Sequence, residues 1–92
     1  MKIKIFHFSI LFFVLFNIQG QTSIEFNEKG IEKYNSKDYL GALQDYNKAI
    51  KLDPDYSNAY YNRGLSKSEL KNYSGAMQDY NKACLLYTSR CV

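Results

Sequence analysis

The sequence predicts an all-α fold: a solenoid of two helix-turn-helix repeats, four helices in all, preceded by a signal peptide. Three observations carry this expectation. The hexapeptide Gln-Asp-Tyr-Asn-Lys-Ala stands at Gln44 to Ala49 and again at Gln78 to Ala83, 34 residues later. The same offset superposes Gly30 on Gly64, Lys33 on Lys67, Lys37 on Lys71, Tyr39 on Tyr73 and Gly41-Ala42 on Gly75-Ala76. A period of this size belongs to helical solenoids, in which no unit buries its apolar face alone and stacking completes the core.

The N-terminal segment is built differently from the repeats. Lys2 and Lys4 precede an apolar stretch from Ile5 to Phe16, followed by Asn17, Gln19, Gly20 and Gln21. A basic start, a short apolar run and a small or polar exit make a secretory signal peptide, with cleavage expected after Gly20. The run is shorter than the roughly 20 residues of a spanning helix, so residues 1–20 are read as a leader and no permanent membrane span is expected after cleavage. Export follows, to a periplasm or to the exterior. With Lys2, Lys4 and the tail's Arg90 set aside, nine of the 12 basic residues remain against nine acidic ones. The repeat region is neutral, so the overall charge of +3 is no argument for nucleic acid.

Within the repeats the start and stop signals fall in order. Thr22 and Glu25 have the spacing of a capping box, which starts a first helix at Thr22 or Ser23 that runs to about Ser36. Asp38 is the expected N-cap of a second helix, Tyr39 to Leu52, which Asp53-Pro54 ends because proline cannot continue the hydrogen-bond ladder. The third helix is expected from about Asn58 to Leu70, and the fourth from Tyr73 after a turn at Lys71-Asn72. Gly30 and Gly64 recur inside helices, where glycine costs up to about 1 kcal/mol relative to alanine. Their recurrence predicts close helix approach, with Phe26 and Tyr60, Leu43 and Met77, Tyr46 and Tyr80 supplying bulk against the gaps.

With these positions in place the chain resembles the tetratricopeptide repeat family. Repeat one, residues 21–56, carries that family's aromatic, Gly, Tyr, Ala, aromatic, Ala and Pro positions as Phe26, Gly30, Tyr39, Ala42, Tyr46, Ala49 and Pro54. Repeat two, residues 57–83, carries Tyr60, Gly64, Tyr73, Ala76, Tyr80 and Ala83, with Thr88 where the proline would stand. Lys29, Lys33, Arg63 and Lys67 occupy positions where the family often has apolar residues; their stems are expected over the seam with the charges in water. The resemblance implies a concave groove lined by one face of each first helix. On that face stand Asn27, Ile31 and Tyr34 in repeat one and Asn58, Tyr61, Asn62 and Leu65 in repeat two.

After Ala83 the second copy departs abruptly, reading Cys84-Leu85-Leu86-Tyr87-Thr88-Ser89-Arg90-Cys91-Val92 where the first reads Ile-Lys-Leu-Asp-Pro. Cys84 to Ser89 is the translation of TGT CTC TTA TAC ACA TCT, which resembles a transposase adapter used in sequencing libraries. Its reverse complement begins AGA TGT GTA TAA, which encodes Arg, Cys, Val and a stop. Residues 84–92 are therefore read as an adapter-derived tail on a fragment of a longer repeat protein. Both cysteines fall in that tail, so no disulfide is inferred.

Catalytic residue types are scarce. The single histidine, His7, lies in the leader, which leaves no nucleophile-base pair and no metal set, and no cofactor is expected. Asp45 and Asp79 are equivalent by duplication and are read as solvated residues on a helix face. The expected function is a non-catalytic protein-protein interaction scaffold holding a peptide or partner segment on its concave face, with the oligomeric state left open. The alternative is an N-terminal sensory or docking region of a larger exported or membrane enzyme, a kinase or peptidase.

Overall fold

The computed structural model describes residues 22–91; the expected leader, residues 1–20, lies outside the described residues. Four helices follow one another: α1 (Ser23–Asn35), α2 (Tyr39–Leu52), α3 (Ser57–Glu69) and α4 (Tyr73–Cys91). None of them is long and apolar enough to cross a membrane.

Helix starts are set by short polar side chains. Thr22 Oγ1 accepts from the Glu25 amide at 3.2 Å, and Asp38 Oδ1 accepts from the Gly41 amide at 3.0 Å. Asn72 repeats the second cap on Gly75, also at 3.0 Å. Both glycines lie close under the capping side chain, which an added Cβ would push aside. α3 differs: Tyr56 precedes it and makes no side-chain cap.

Helix ends are set by backbone geometry. After α1 the Asp38 amide reaches back to the Lys33 carbonyl at 2.8 Å and the Lys37 amide to Tyr34 at 2.9 Å; after α3 the Asn72 and Lys71 amides do the same with Lys67 and Ser68. This is the Schellman arrangement, which needs one left-handed residue. Lysine fills that place twice, with φ of 67° at both Lys37 and Lys71.

Packing is pairwise and sequential. α1 lies on α2, α3 lies on α4, and α3 also touches both α2 and α1. α2 and α4 do not touch. First helices that meet while second helices stay apart bend the array, so α1 and α3 lie on its concave side. The glycines allow the intimate pairs: Gly30 faces the Tyr46 ring and Gly64 the Tyr80 ring so closely that no Cβ fits. Ala42, Ala49, Ala59 and Ala76 complete a thin core.

Two expectations need correction here. Asp45 and Asp79 are not solvated: they are 4% and 3% exposed. Met77, expected to add bulk to the packing, is mostly exposed, because none of the described helices covers that side of α4; Tyr73, at a family position on the same side, is exposed as well. α4 runs on through position 84, in keeping with the helix-compatible Leu85 and Leu86.

Candidate functional site

Buried carboxylates must be paired, and each repeat supplies the pair from its own first helix. Lys33 Nζ sits 2.9 Å from Asp45 Oδ2. In repeat two the arrangement is stronger: Arg63 donates from Nε and Nη2 to the two Asp79 oxygens at 2.9 and 2.7 Å, and Lys67 Nζ lies 3.0 Å from Oδ2. A forked guanidinium on a carboxylate is among the strongest of such pairs. Arg63 has a third contact, from Nη1 to the Asn47 side-chain oxygen at 3.0 Å, which ties α3 to the preceding repeat. The cations expected to reach water are thus largely engaged, and Lys29 lies over the Phe26 ring instead.

These pairs move the ionisation equilibria. Burial acts to raise the Asp79 carboxyl, but the hydrogen bonds from Arg63 and Lys67 outweigh it and hold the group below the usual carboxylate range. Asp45 holds the Lys33 ammonium above its ordinary value, mainly through their hydrogen bond. Burial pushes the Tyr46 hydroxyl up to about 12.

The residues expected to line the groove divide into two sets. Ile31 and Tyr61 are exposed, Tyr34, Asn62 and Leu65 are half-buried, and Asn58 is exposed at the start of α3. Asn27 is different: it is 4% exposed, donates to the Tyr56 hydroxyl at 3.3 Å and accepts from the Asn62 amide at 3.0 Å. Its amide is committed to the α1-α3 seam and is not offered to a partner. Tyr34 stacks edge-on against Tyr39 at 5.3 Å, with its hydroxyl 3.4 Å from Glu69.

Sequence reasoning missed a cleft of about 320 Å³ on the outer side of repeat two. Ser57 and Tyr61 of α3 form one wall; Tyr80, Ala83, Cys84 and Tyr87, a stripe at helical spacing on α4, form the other. Tyr61 leans on Tyr80, with ring centres 5.7 Å apart. The signal was available in the period: Asn27, the counterpart of Tyr61, is bonded to Tyr56 and to Asn62 of α3.

Among the described residues no group of three or more His, Cys, Asp or Glu side chains is placed to hold a metal ion. What the surface can do is bind. Helical packing, an amide-and-aromatic concave face and an apolar end cleft are means of contact with another polypeptide.

Comparison with known proteins agrees with the period. A family profile described as TPR repeat matches residues 30–71, and one described as tetratricopeptide repeat matches residues 57–89. No curated protein matches the chain at a significant level. Repeats of this family generally mediate protein-protein interaction and are typically non-catalytic. With both repeats matched and four helices in the expected order, the chain belongs to the tetratricopeptide repeat family.

Proposed function

We propose that the protein is an exported, non-catalytic scaffold that holds an extended peptide or partner segment on its concave face. The observation that supports this reading is the stripe of exposed and half-buried side chains along α1 and α3: Ile31 and Tyr34 on one helix, Tyr61, Asn62 and Leu65 on the other. Aromatic and aliphatic groups supply contact area, and the amides of Asn58 and Asn62 supply orientation. The ion pairs of Asp45 and Asp79 hold the two helices that present the stripe without taking part in contact.

Replacing Tyr61 and Leu65 together with alanine in the full chain tests the reading. Partner capture by crosslinking should drop while far-ultraviolet circular dichroism keeps its helical signature. Undiminished capture would remove the groove from consideration.

A further inference from the structure

Cations and carboxylates balance in number across the repeats but not in position. The first helices carry Lys29 and Lys33 on α1 and Arg63 and Lys67 on α3. Lys33 meets Asp45 on α2, and Arg63 and Lys67 both meet Asp79 on α4. Lys29 lies over the Phe26 ring, and Lys48 of α2 lies over the same ring. Buried aspartates require such partners. The carboxylates of the same two helices are placed differently: Glu25, Glu28, Glu32 and Glu69 are all exposed, and no ion pair among the described residues includes them.

Two of those carboxylates border the groove. Glu28 stands with Ile24, Ile31 and Asn35 at steps of four, three and four, which is one exposed stripe of α1. Glu69 follows Leu65 by four positions on α3, and its Oε1 accepts from the Tyr34 hydroxyl of α1 at 3.4 Å. That is long for a hydroxyl on a carboxylate, so most of the charge is left unanswered. Burial, and after it the Glu69 charge, holds the Tyr34 hydroxyl above its ordinary value, so it stays a neutral donor. Its ring is set edge-on against Tyr39 with centres 5.3 Å apart. An ammonium or guanidinium is the group that an exposed carboxylate and a positioned aromatic ring both attract.

We infer that the concave groove selects a cationic partner, a segment that combines apolar side chains with lysine or arginine, and that Glu69 beside Tyr34 seats one of its cations. The inference rests on the groove proposed above and gives the partner its charge. An acidic segment is disfavoured on two counts. It would meet Glu28 and Glu69, and the cations that could answer it are held by Asp45 and Asp79.

The test offers a display library of random dodecapeptides to the full chain and sequences the retained pool. Lysine and arginine should be enriched over aspartate and glutamate relative to the input library. A synthetic peptide from that pool should bind Glu69→Gln about threefold more weakly, and the Glu28→Gln, Glu69→Gln pair about tenfold more weakly, with unchanged helical circular dichroism because both side chains are exposed. Glu25→Gln removes the same charge outside the stripe and should leave the affinity as it was, which separates a seat from general attraction. A retained pool without cationic enrichment would overturn the inference, as would equal losses from Glu25→Gln and Glu69→Gln; the groove itself survives either result if the Tyr61→Ala, Leu65→Ala double variant retains less. Retention undiminished in that double variant, or no retained pool at all, would remove the groove and this inference together.

Discussion

Asp45 and Asp79 occupy the same place in two copies of one hexapeptide, yet they are held differently. Asp45 has one ammonium, from the half-exposed Lys33; Asp79 has a forked guanidinium and a second ammonium, from Arg63 and Lys67. The tyrosines one position later differ in the other direction. Tyr46 is buried to 1% exposure, while Tyr80 stands beside an open cleft. Repeat one is therefore tight in its apolar packing and loose in its ion pair, and repeat two the reverse. A duplicated sequence does not give a duplicated energy distribution, because each unit is completed by what lies next to it.

The largest break in this comparison should come from Asp79→Ala, which leaves two cations facing an apolar seam. A loss of about 3 kcal/mol is expected from breaking such a buried pair, against a smaller loss for Asp45→Ala, both read from denaturant midpoints. The pH dependence has a fixed sign. Because Asp79 has a lower pKa folded than unfolded, its contribution is complete above the ordinary aspartate value of about 3.9 and is lost as pH falls through the folded value. Asp79→Asn should flatten that part of the acid-unfolding curve, and an unchanged curve would show that Asp79 is not held by its cations.

A second comparison uses the glycines. Gly30→Ala presses a methyl group into the enclosed Tyr46 ring and should cost about 2 kcal/mol by overpacking. Gly64→Ala meets Tyr80, which can give way toward the cleft, and more distantly the Ala76 carbonyl oxygen at 3.2 Å; alanine's helix preference offsets part of the cost. Thermal unfolding should rank Gly30→Ala clearly below Gly64→Ala; equal losses would mean that the cleft gives Tyr80 no freedom.

The smallest effect is a gain, and it should be the same in both repeats. Lys37→Gly and Lys71→Gly each remove a side chain from a left-handed backbone, for a net stabilisation of about 0.5 kcal/mol after the greater freedom of the unfolded glycine is counted. Unequal gains would show that the two turns differ in ways their matched φ values do not express.

Helix order, helix bounds to within about one residue, and the glycine-tyrosine pairs were legible because each is local or periodic. Thr22, Asp38 and Pro54 mark boundaries whatever surrounds them. What escaped was what depends on neighbours. The repeated aspartates looked like surface residues because their partners, Lys33, Arg63 and Lys67, are 12 to 16 positions away and were read as tolerated exceptions. Asn27 shares a helical face with Ile31 and Tyr34, but whether that end of the face is open depends on Tyr56 and Asn62 in the next unit. The cleft escaped for the same reason: periodicity locates the surface that a neighbour should cover but does not say that it is bare.

Arg63 holds Asp79 in its own unit with two nitrogens and Asn47 in the preceding unit with the third. In a one-dimensional description of repeat proteins, where each unit has an intrinsic stability and each junction a coupling, this side chain contributes to both. Loosening repeat two therefore removes a tether from repeat one at the same moment. The two units are set up to melt as one cooperative block, with the denaturant sensitivity of a four-helix chain and not of two independent hairpins.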